Sequence, residues 1–170
     1  LGTGSGALAV SFLYYCREAH GMAVDISEEA LQVARGNAGK NGVEKRLEFY
    51  QGDFLHAVPE GAVFDVILSN PPYIPTADLA GLDREVRREP QIALDGGRDG
   101  LDFYRILGEQ AVQYLKPGGL LAVEVGIHQA ADVKALFEAG GLKDVYYIQD
   151  YGGIDRAVCG RKAAAPVVSE

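Results

Sequence analysis

The segment Ser69-Asn70-Pro71-Pro72-Tyr73 closes an apolar run, Val63 to Leu68, that reads as a buried strand. Two consecutive prolines fix φ at two positions and remove two N–H donors. The groups left to face a pocket are acceptors: the Asn70 side-chain oxygen and the Pro71 carbonyl. Tyr73 adds a flat apolar wall. Such a set suits a planar –NH2 group that donates both its hydrogens. Amide and exocyclic amine nitrogens are weak nucleophiles because their lone pair is delocalised. Acceptors holding both N–H bonds raise the electron density on nitrogen and aim it at an electrophile. With a sulfonium methyl as that electrophile, no metal is needed and the proton departs late to water. The plain alternative is a rigid turn that ends a strand.

A second constellation stands at the start of the chain. Gly2, Thr3, Gly4, Ser5 and Gly6 form a Gly-x-Gly-x-Gly loop ahead of a helix. Glycines there let backbone N–H groups approach a ligand, and a helix N-terminus favours negative charge. Asp25 ends the next strand pattern, where a carboxylate is spaced to hydrogen-bond a ribose diol. Asp53 follows the strand after that, where it could touch an adenine edge, and Phe54 is available to pack on the ring. For Asp53 a turn-forming or helix-capping role is an equal alternative. The glycine loop and Asp25 point to a nucleoside, yet they do not separate a nicotinamide cofactor from S-adenosylmethionine. In an open parallel sheet ligands sit outside the carboxyl ends of the strands. The Asn-Pro-Pro-Tyr segment falls at such an end, which favours the chemical reading over the turn.

These residues must be positioned by an alternation of helices and strands. Gly6 to Ala19 reads as a helix with Leu8, Phe12 and Tyr15 on one stripe. Gly21 to Asp25 is a short strand. Ser27 is placed to cap a helix that carries Glu28 and Glu29 in its first turn and stops at Gly42. Leu47 to Gln51 is the next strand, and Phe64 to Asn70 the one after. Residues 70–100 are rich in proline, glycine and charge, a long connection of the kind that carries function. An amphipathic helix from Leu101 to Leu115 is expected to stop at Lys-Pro-Gly-Gly, before the buried strand Leu120 to Val125. A helix from His128, a strand Asp144 to Asp150 and a short strand around Arg156 to Gly160 complete the pattern. Strands separated by helices predict a doubly wound, mostly parallel α/β sheet, and the last two strands allow an antiparallel hairpin. The expected organisation is one domain over residues 1–162, with a loose tail over 163–170.

Composition bounds the function. The chain has 170 residues, is 48% hydrophobic and carries a net charge of −8. That is enough for one full core. The acidic balance argues against a sequence-independent grip on nucleic acid, and no direct nucleic-acid binding is expected. No apolar run has membrane-spanning length and no leader peptide is seen, so a soluble, cytoplasmic protein is expected. Cys16 and Cys159 are expected to be free core cysteines. His20, His56 and His128 make no ligand spacing, and no metal site is expected.

Taken together, Leu1-Gly-Thr-Gly-Ser-Gly, Ala23-Val24-Asp25, Ser69 to Pro75 and Arg88 to Leu107 resemble the HemK/PrmC family of protein-(glutamine-N5) methyltransferases. Its members act on peptide chain release factors. The Asn-Pro-Pro-Tyr motif alone is shared with other amino methyltransferases. The stretch from Glu89 to Leu107, with Glu124 to Gln129 and Asp150 to Arg161, is more specific to this family. The resemblance implies the class I S-adenosylmethionine-dependent methyltransferase fold, Rossmann-like, with seven strands and the last one antiparallel. It implies S-adenosyl-L-methionine as cofactor, held by Gly2, Thr3, Gly4, Ser5 and Gly6, with Asp25 on the ribose and Asp53 and Phe54 near the adenine. Asn70 would bridge cofactor and substrate. Asn70, Pro71 and Tyr73 would be catalytic, and with Pro72 they would orient the glutamine amide of a Gly-Gly-Gln loop in the release factor. Glu89 and Pro90 would shape the substrate channel, or serve as a salt-bridged loop anchor.

Family members usually carry a strand and an acidic residue before the glycine loop, and a helical N-terminal domain. This sequence opens on the loop itself, so it reads as a fragment lacking the first strand and is expected to fold poorly or bind cofactor weakly. Competing readings are a glutamine methyltransferase acting on a ribosomal protein, an adenine-N6 or other amino methyltransferase acting on nucleic acid, a non-catalytic cofactor-binding module, and a nicotinamide-dependent oxidoreductase. The last lacks a hydride-transfer dyad near the strand that ends at Asn70.

Overall fold

The computed structural model describes residues 1–165. The described residues form two compact units. The first comprises Leu1–Ala62 and Leu68–Asn70, and the second Val63–Ile67 and the residues from Pro71 onward.

In the first unit, helix α1 (Ala7–Tyr15) leads to strand β1 (Gly21–Asp25), helix α2 (Glu28–Lys40) and strand β2 (Leu47–Gln51). Strands β1 and β2 are parallel, with Asp25 opposite Gln51 at their carboxyl ends. Ser27 caps α2 as expected, its hydroxyl accepting from the Ala30 N–H at 3.1 Å. Glu28 and Glu29 occupy the first turn, where they offset the helix dipole. The core is built by Val10, Leu13, Ala23, Ala38, Val43 and Leu47.

Helix α1 differs from expectation. It ends at Tyr15, and its buried face carries Val10 and Leu13. Leu8 and Tyr15, expected inside, are exposed, and only Phe12 of the expected stripe packs on the core. Six of its nine residues are Ala, Leu, Val or Phe, two more are tyrosines and only Ser11 is small and polar, so the helix is apolar nearly all round. Such a helix has no polar face to betray its rotation. Close packing at Gly6 helps set the phase: a Cβ there would lie 2.9 Å from the Ala34 Cβ on α2. Cys16, expected in the core, is likewise exposed, while Cys159 is buried; both are free.

The second unit contains most of strand β3 (Phe64–Ser69), then helix α3 (Asp102–Tyr114), strand β4 (Leu115–Glu124), helix α4 (Ala130–Ala139), strand β5 (Lys143–Gln149) and strand β6 (Asp155–Arg161). The sheet order is β3-β4-β6-β5. β6 turns back between β4 and β5 and is antiparallel to both, which realises the expected hairpin and the antiparallel last strand. Six strands are present among the described residues, in two sheets. Helix α3 stops just before Lys116-Pro117-Gly118-Gly119, as expected, but that segment does not separate helix from strand. It is absorbed into β4, where the Gly118 N–H donates to the Lys162 carbonyl and the Lys162 N–H to that of Gly119. Tyr104, Leu107 and Ala111 of α3, and Val133 and Phe137 of α4, fill the core. The architecture is α/β and Rossmann-like. No helix among the described residues is long and apolar enough to cross a membrane.

One side chain ties off the end of α1. The Arg46 guanidinium donates to the carbonyls of Leu13 (2.8 Å), Cys16 (3.1 Å) and Ala19 (2.8 Å). The Leu13 carbonyl belongs to the last turn, which a helix end leaves without partners; the Cys16 carbonyl also accepts from the Ala19 N–H. Arg46→Ala should lower unfolding free energy by about 1–3 kcal/mol, because charge-assisted bonds to partly buried carbonyls are lost. Arg35→Ala, which breaks an exposed ion pair with Glu28, should cost under about 1 kcal/mol. Urea unfolding of the two variants measures the difference.

Candidate functional site

In the first unit the glycine loop is drawn onto the end of β1 by Asp25. One carboxylate oxygen accepts from the Gly4 N–H at 2.7 Å, and the other from the Ser27 N–H at 3.0 Å. The loop is further pinned where the Thr3 N–H donates to the Val24 carbonyl and the Asn37 side-chain amide to the Ser5 carbonyl. Gly4 has φ +54°, and a Cβ built on it would meet nothing within 4 Å. The turn therefore needs glycine for its conformation and leaves open space over its main chain. Phe54 is buried, and a ring carbon lies 3.6 Å from where a Cβ on Gly2 would stand. The structure thus brings Gly2, Gly4, Asp25 and Phe54 together. Asp53 is exposed and heads the 3-10 turn Phe54–Ala57, with no hydrogen bond from its side chain to cap it.

Asn70 ends this unit. It is exposed, and its carboxamide makes no hydrogen bond among the described residues. Just before it, the Ser69 hydroxyl donates to the Leu1 carbonyl at 3.0 Å, and the Leu1 nitrogen donates to Leu68 at 2.8 Å.

The second unit begins this stretch at Pro71, which is buried, with Pro72 and Tyr73 half-buried. Their main chain is gripped from the far side of the long connection. Ile74 and Asp95 form a parallel bridge, in which the Ile74 N–H donates to Leu94 and the Gly96 N–H to Ile74. The Asp95 carboxylate accepts from the Thr76 hydroxyl (2.7 Å) and the Gly97 N–H (3.0 Å). Gly100 has φ +76°, and a Cβ there would overlap the Tyr73 carbonyl oxygen. The Gln129 carboxamide reaches the same place and donates to the Tyr73 carbonyl at 2.9 Å. The long connection read from sequence as one that carries function is thus a folded bracket for the segment from Pro71 to Thr76.

Burial pushes the Tyr73 phenol above its ordinary pKa, and the Glu124 carboxylate adds to the effect, as does Glu89. Tyr104, wholly buried on α3, is raised for the same first reason, and its hydroxyl donates to the Glu124 carbonyl at 2.8 Å. Tyr73 is therefore neutral at physiological pH. Glu89 and Pro90 are exposed and precede the 3-10 turn Gln91–Ala93. Glu89 makes no ion pair among the described residues. Sequence reasoning marked the stretches holding Asp95, Gly100 and Gln129 as specific to the family but gave none of these residues, nor Thr76, a role in holding the motif. The available signal was Asp-Gly-Gly-Arg-Asp-Gly, Asp95 to Gly100, whose spacing of glycines and carboxylates marks a structured turn.

Comparison with known proteins adds the following. A family profile described as a methyltransferase domain matches residues 1–153. The release factor glutamine methyltransferase of Moorella thermoacetica is 51% identical over 156 residues, covering 91% of this chain and 55% of that protein. That of Rhodospirillum rubrum is 48% identical over 166 residues, covering 97% of this chain and 50% of the relative. The chain spans about half the length of the curated relatives it matches. A crystal structure of a methyltransferase from Pyrococcus furiosus superposes with a TM-score of 0.70 at 24% identity, covering 95% of this chain and 72% of that one. This last likeness is one of fold.

The bracket has an acid limit. The Arg105 guanidinium holds the Asp99 carboxyl at about 2, below its usual 3.8. Asp95 is depressed too, chiefly by the Thr76 hydroxyl and then by the Gly97 N–H. A carboxyl lowered in the folded state contributes stability that is complete above its unfolded value and lost as pH falls through the folded one. Thermal stability should therefore fall as pH drops from about 4 to about 2. Asp99→Asn should flatten part of that decline, which melting curves across the interval would measure.

Proposed function

We infer that this chain, which belongs to the methyltransferase-domain family and to its HemK/PrmC branch, is the catalytic part of a release factor glutamine methyltransferase. It transfers a methyl group from S-adenosylmethionine to the side-chain nitrogen of a Gly-Gly-Gln glutamine. The observation that carries this reading is the Asn70-Pro71-Pro72-Tyr73 segment, whose Asn70 side-chain oxygen and Pro71 carbonyl have no partner among the described residues and whose main chain is bracketed downstream.

The residues of the first unit fit the cofactor. The open face of Gly4 admits a ligand against the main chain. Each Asp25 oxygen already accepts one backbone N–H and retains a lone pair for a ribose hydroxyl. Gly2, Thr3, Gly4, Ser5 and Gly6 would hold the methionine part, and Phe54, with Asp53 beside it, would flank the adenine. When bound, S-adenosylmethionine supplies an electrophilic methyl on sulfur and a neutral thioether leaving group.

The remaining chemistry belongs to side chains and carbonyls of the protein. The Asn70 oxygen and the Pro71 carbonyl accept the two N–H bonds of the glutamine amide, which restrains the nitrogen and favours density on it. Pro72 stiffens the turn, and Tyr73 packs against the flat face of the amide and excludes water. Glu89 and Pro90 border the approach. No side chain needs to act as a strong base, because the amide proton becomes acidic only once nitrogen is alkylated. The protein would work in the cytoplasm on a folded release factor.

Incubation with S-adenosylmethionine and a purified release factor should add one methyl, located by mass spectrometry on the Gly-Gly-Gln glutamine. Asn70→Ala should reduce kcat at least a hundredfold, about 3 kcal/mol of lost transition-state stabilisation. Methyl on a ribosomal protein or a nucleic acid instead would reassign the substrate. Asp25→Asn should weaken S-adenosylmethionine binding about tenfold or more, as measured by calorimetry, because it replaces charge-assisted hydrogen bonds.

A further inference from the structure

The geometry points to Gln129 as a positioning residue that sets the main chain of the Asn-Pro-Pro-Tyr segment, and so the direction of its acceptors. This inference rests on the functional reading above for its kinetic consequence, and on hydrogen bonds alone for its structural one.

Gln129 precedes α4 and is half-buried, yet its side chain does not cap that helix. It folds back and engages three separate segments. Its Nε2 donates to the Tyr73 carbonyl at 2.9 Å and to the Gly100 carbonyl at 3.2 Å. Its Oε1 accepts from the Gly126 N–H at 2.9 Å. Both amide hydrogens and the oxygen are thus used. Only one orientation of the carboxamide satisfies two carbonyls and one N–H, so the network itself defines the flip. No other side chain of that length offers two donors and one acceptor in a plane.

The consequence for the motif follows from its dihedrals. The prolines fix φ at positions 71 and 72 but leave ψ to the surroundings. The Ile74–Asp95 bridge holds the chain just downstream. Gln129 fixes the Tyr73 carbonyl, and with it the peptide plane between Tyr73 and Ile74. The same turn sets the ring. A Cβ on Gly126 would lie 3.0 Å from Tyr73 Cδ2 and 2.7 Å from Gln129 Oε1. The phenol wall therefore rests on the peptide whose N–H Gln129 accepts. Releasing the carboxamide frees the Tyr73 carbonyl and the ring together, and the upstream acceptors lose their aim. A misplacement of reacting groups by about 1 Å costs on the order of a hundredfold in rate.

The test compares Gln129→Glu with Gln129→Asn in the full protein. Glutamate keeps the shape and the acceptor for Gly126 but removes both donors; asparagine keeps the donors but falls one methylene short. Backbone hydrogen exchange at Ile74 and Thr76, the bonded amides of this stretch, should accelerate at least fivefold in both variants, while exchange across β1 and α2 stays unchanged. With a release factor, kcat should fall at least tenfold, while the Kd for S-adenosylmethionine stays within twofold and KM for the release factor within threefold. Asparagine should retain more activity than glutamate. A loss that followed from global instability would instead raise exchange throughout and be relieved by cooling. Unchanged exchange at Ile74 and Thr76 in either folded variant, or altered exchange with kcat intact, would overturn the inference. A wild-type protein inactive on any release factor would count against the functional reading alone, and the exchange would still decide whether Gln129 holds the motif.

Discussion

Pro71 and Pro72 bring no N–H to the turn that follows β3, and much of the second unit answers that deficit. A segment that cannot donate has to be held through its carbonyls, by donors supplied from elsewhere. The long connection exists in its folded form for this purpose. It delivers Asp95 to Thr76, Gly96 to Ile74 and the bare main chain of Gly100 to Tyr73. The beginning of α4 delivers Gln129. The Arg105–Asp99 pair then ties the connection to the first turn of α3. A donor-poor tetrapeptide is a useful thing to hold rigid, since its unused acceptors are then directed at something other than the protein.

The first unit follows a complementary logic. There the backbone donors are abundant, and a single carboxylate organises them. Asp25 collects the Gly4 and Ser27 amides at the end of β1 and so fixes both the glycine loop and the entry to α2. One residue thereby links strand, loop and helix cap. The same carboxylate keeps lone pairs for a ligand. A donor-rich loop with an acceptor hub suits a cofactor that carries hydroxyls and a carboxylate, and an acceptor-rich turn suits a substrate that carries an –NH2.

Much of this was legible in the sequence because its signals are local. Ser27 with two glutamates after it specifies a helix start, and the strands Gly21–Asp25 and Leu47–Gln51 stand where the pattern put them. The α/β class and the antiparallel last strand were readable from order and length. What failed depended on rotation or long-range pairing. Helix α1 is apolar on all sides, so its buried face was misjudged and Cys16 with it. The start of β4 at Leu115 rather than Leu120 was missed because local rules cannot foresee a pairing with Lys162. Within the site, the glycine loop, Asp25 and the Asn-Pro-Pro-Tyr segment carry recognisable motifs. Gln129 lies 56 residues from its partner Tyr73, and nothing in its neighbourhood announces the contact.

The central claim is that the Asn70–Tyr73 segment selects an amide nitrogen. The most direct measurement replaces the glutamine of the release factor's Gly-Gly-Gln by glutamate and follows methyl incorporation into that factor. A carboxylate has no N–H to donate and repels both acceptors, so incorporation should vanish while binding of S-adenosylmethionine is untouched. Undiminished incorporation into the substituted factor would place the methyl elsewhere and contradict the assignment of these acceptors.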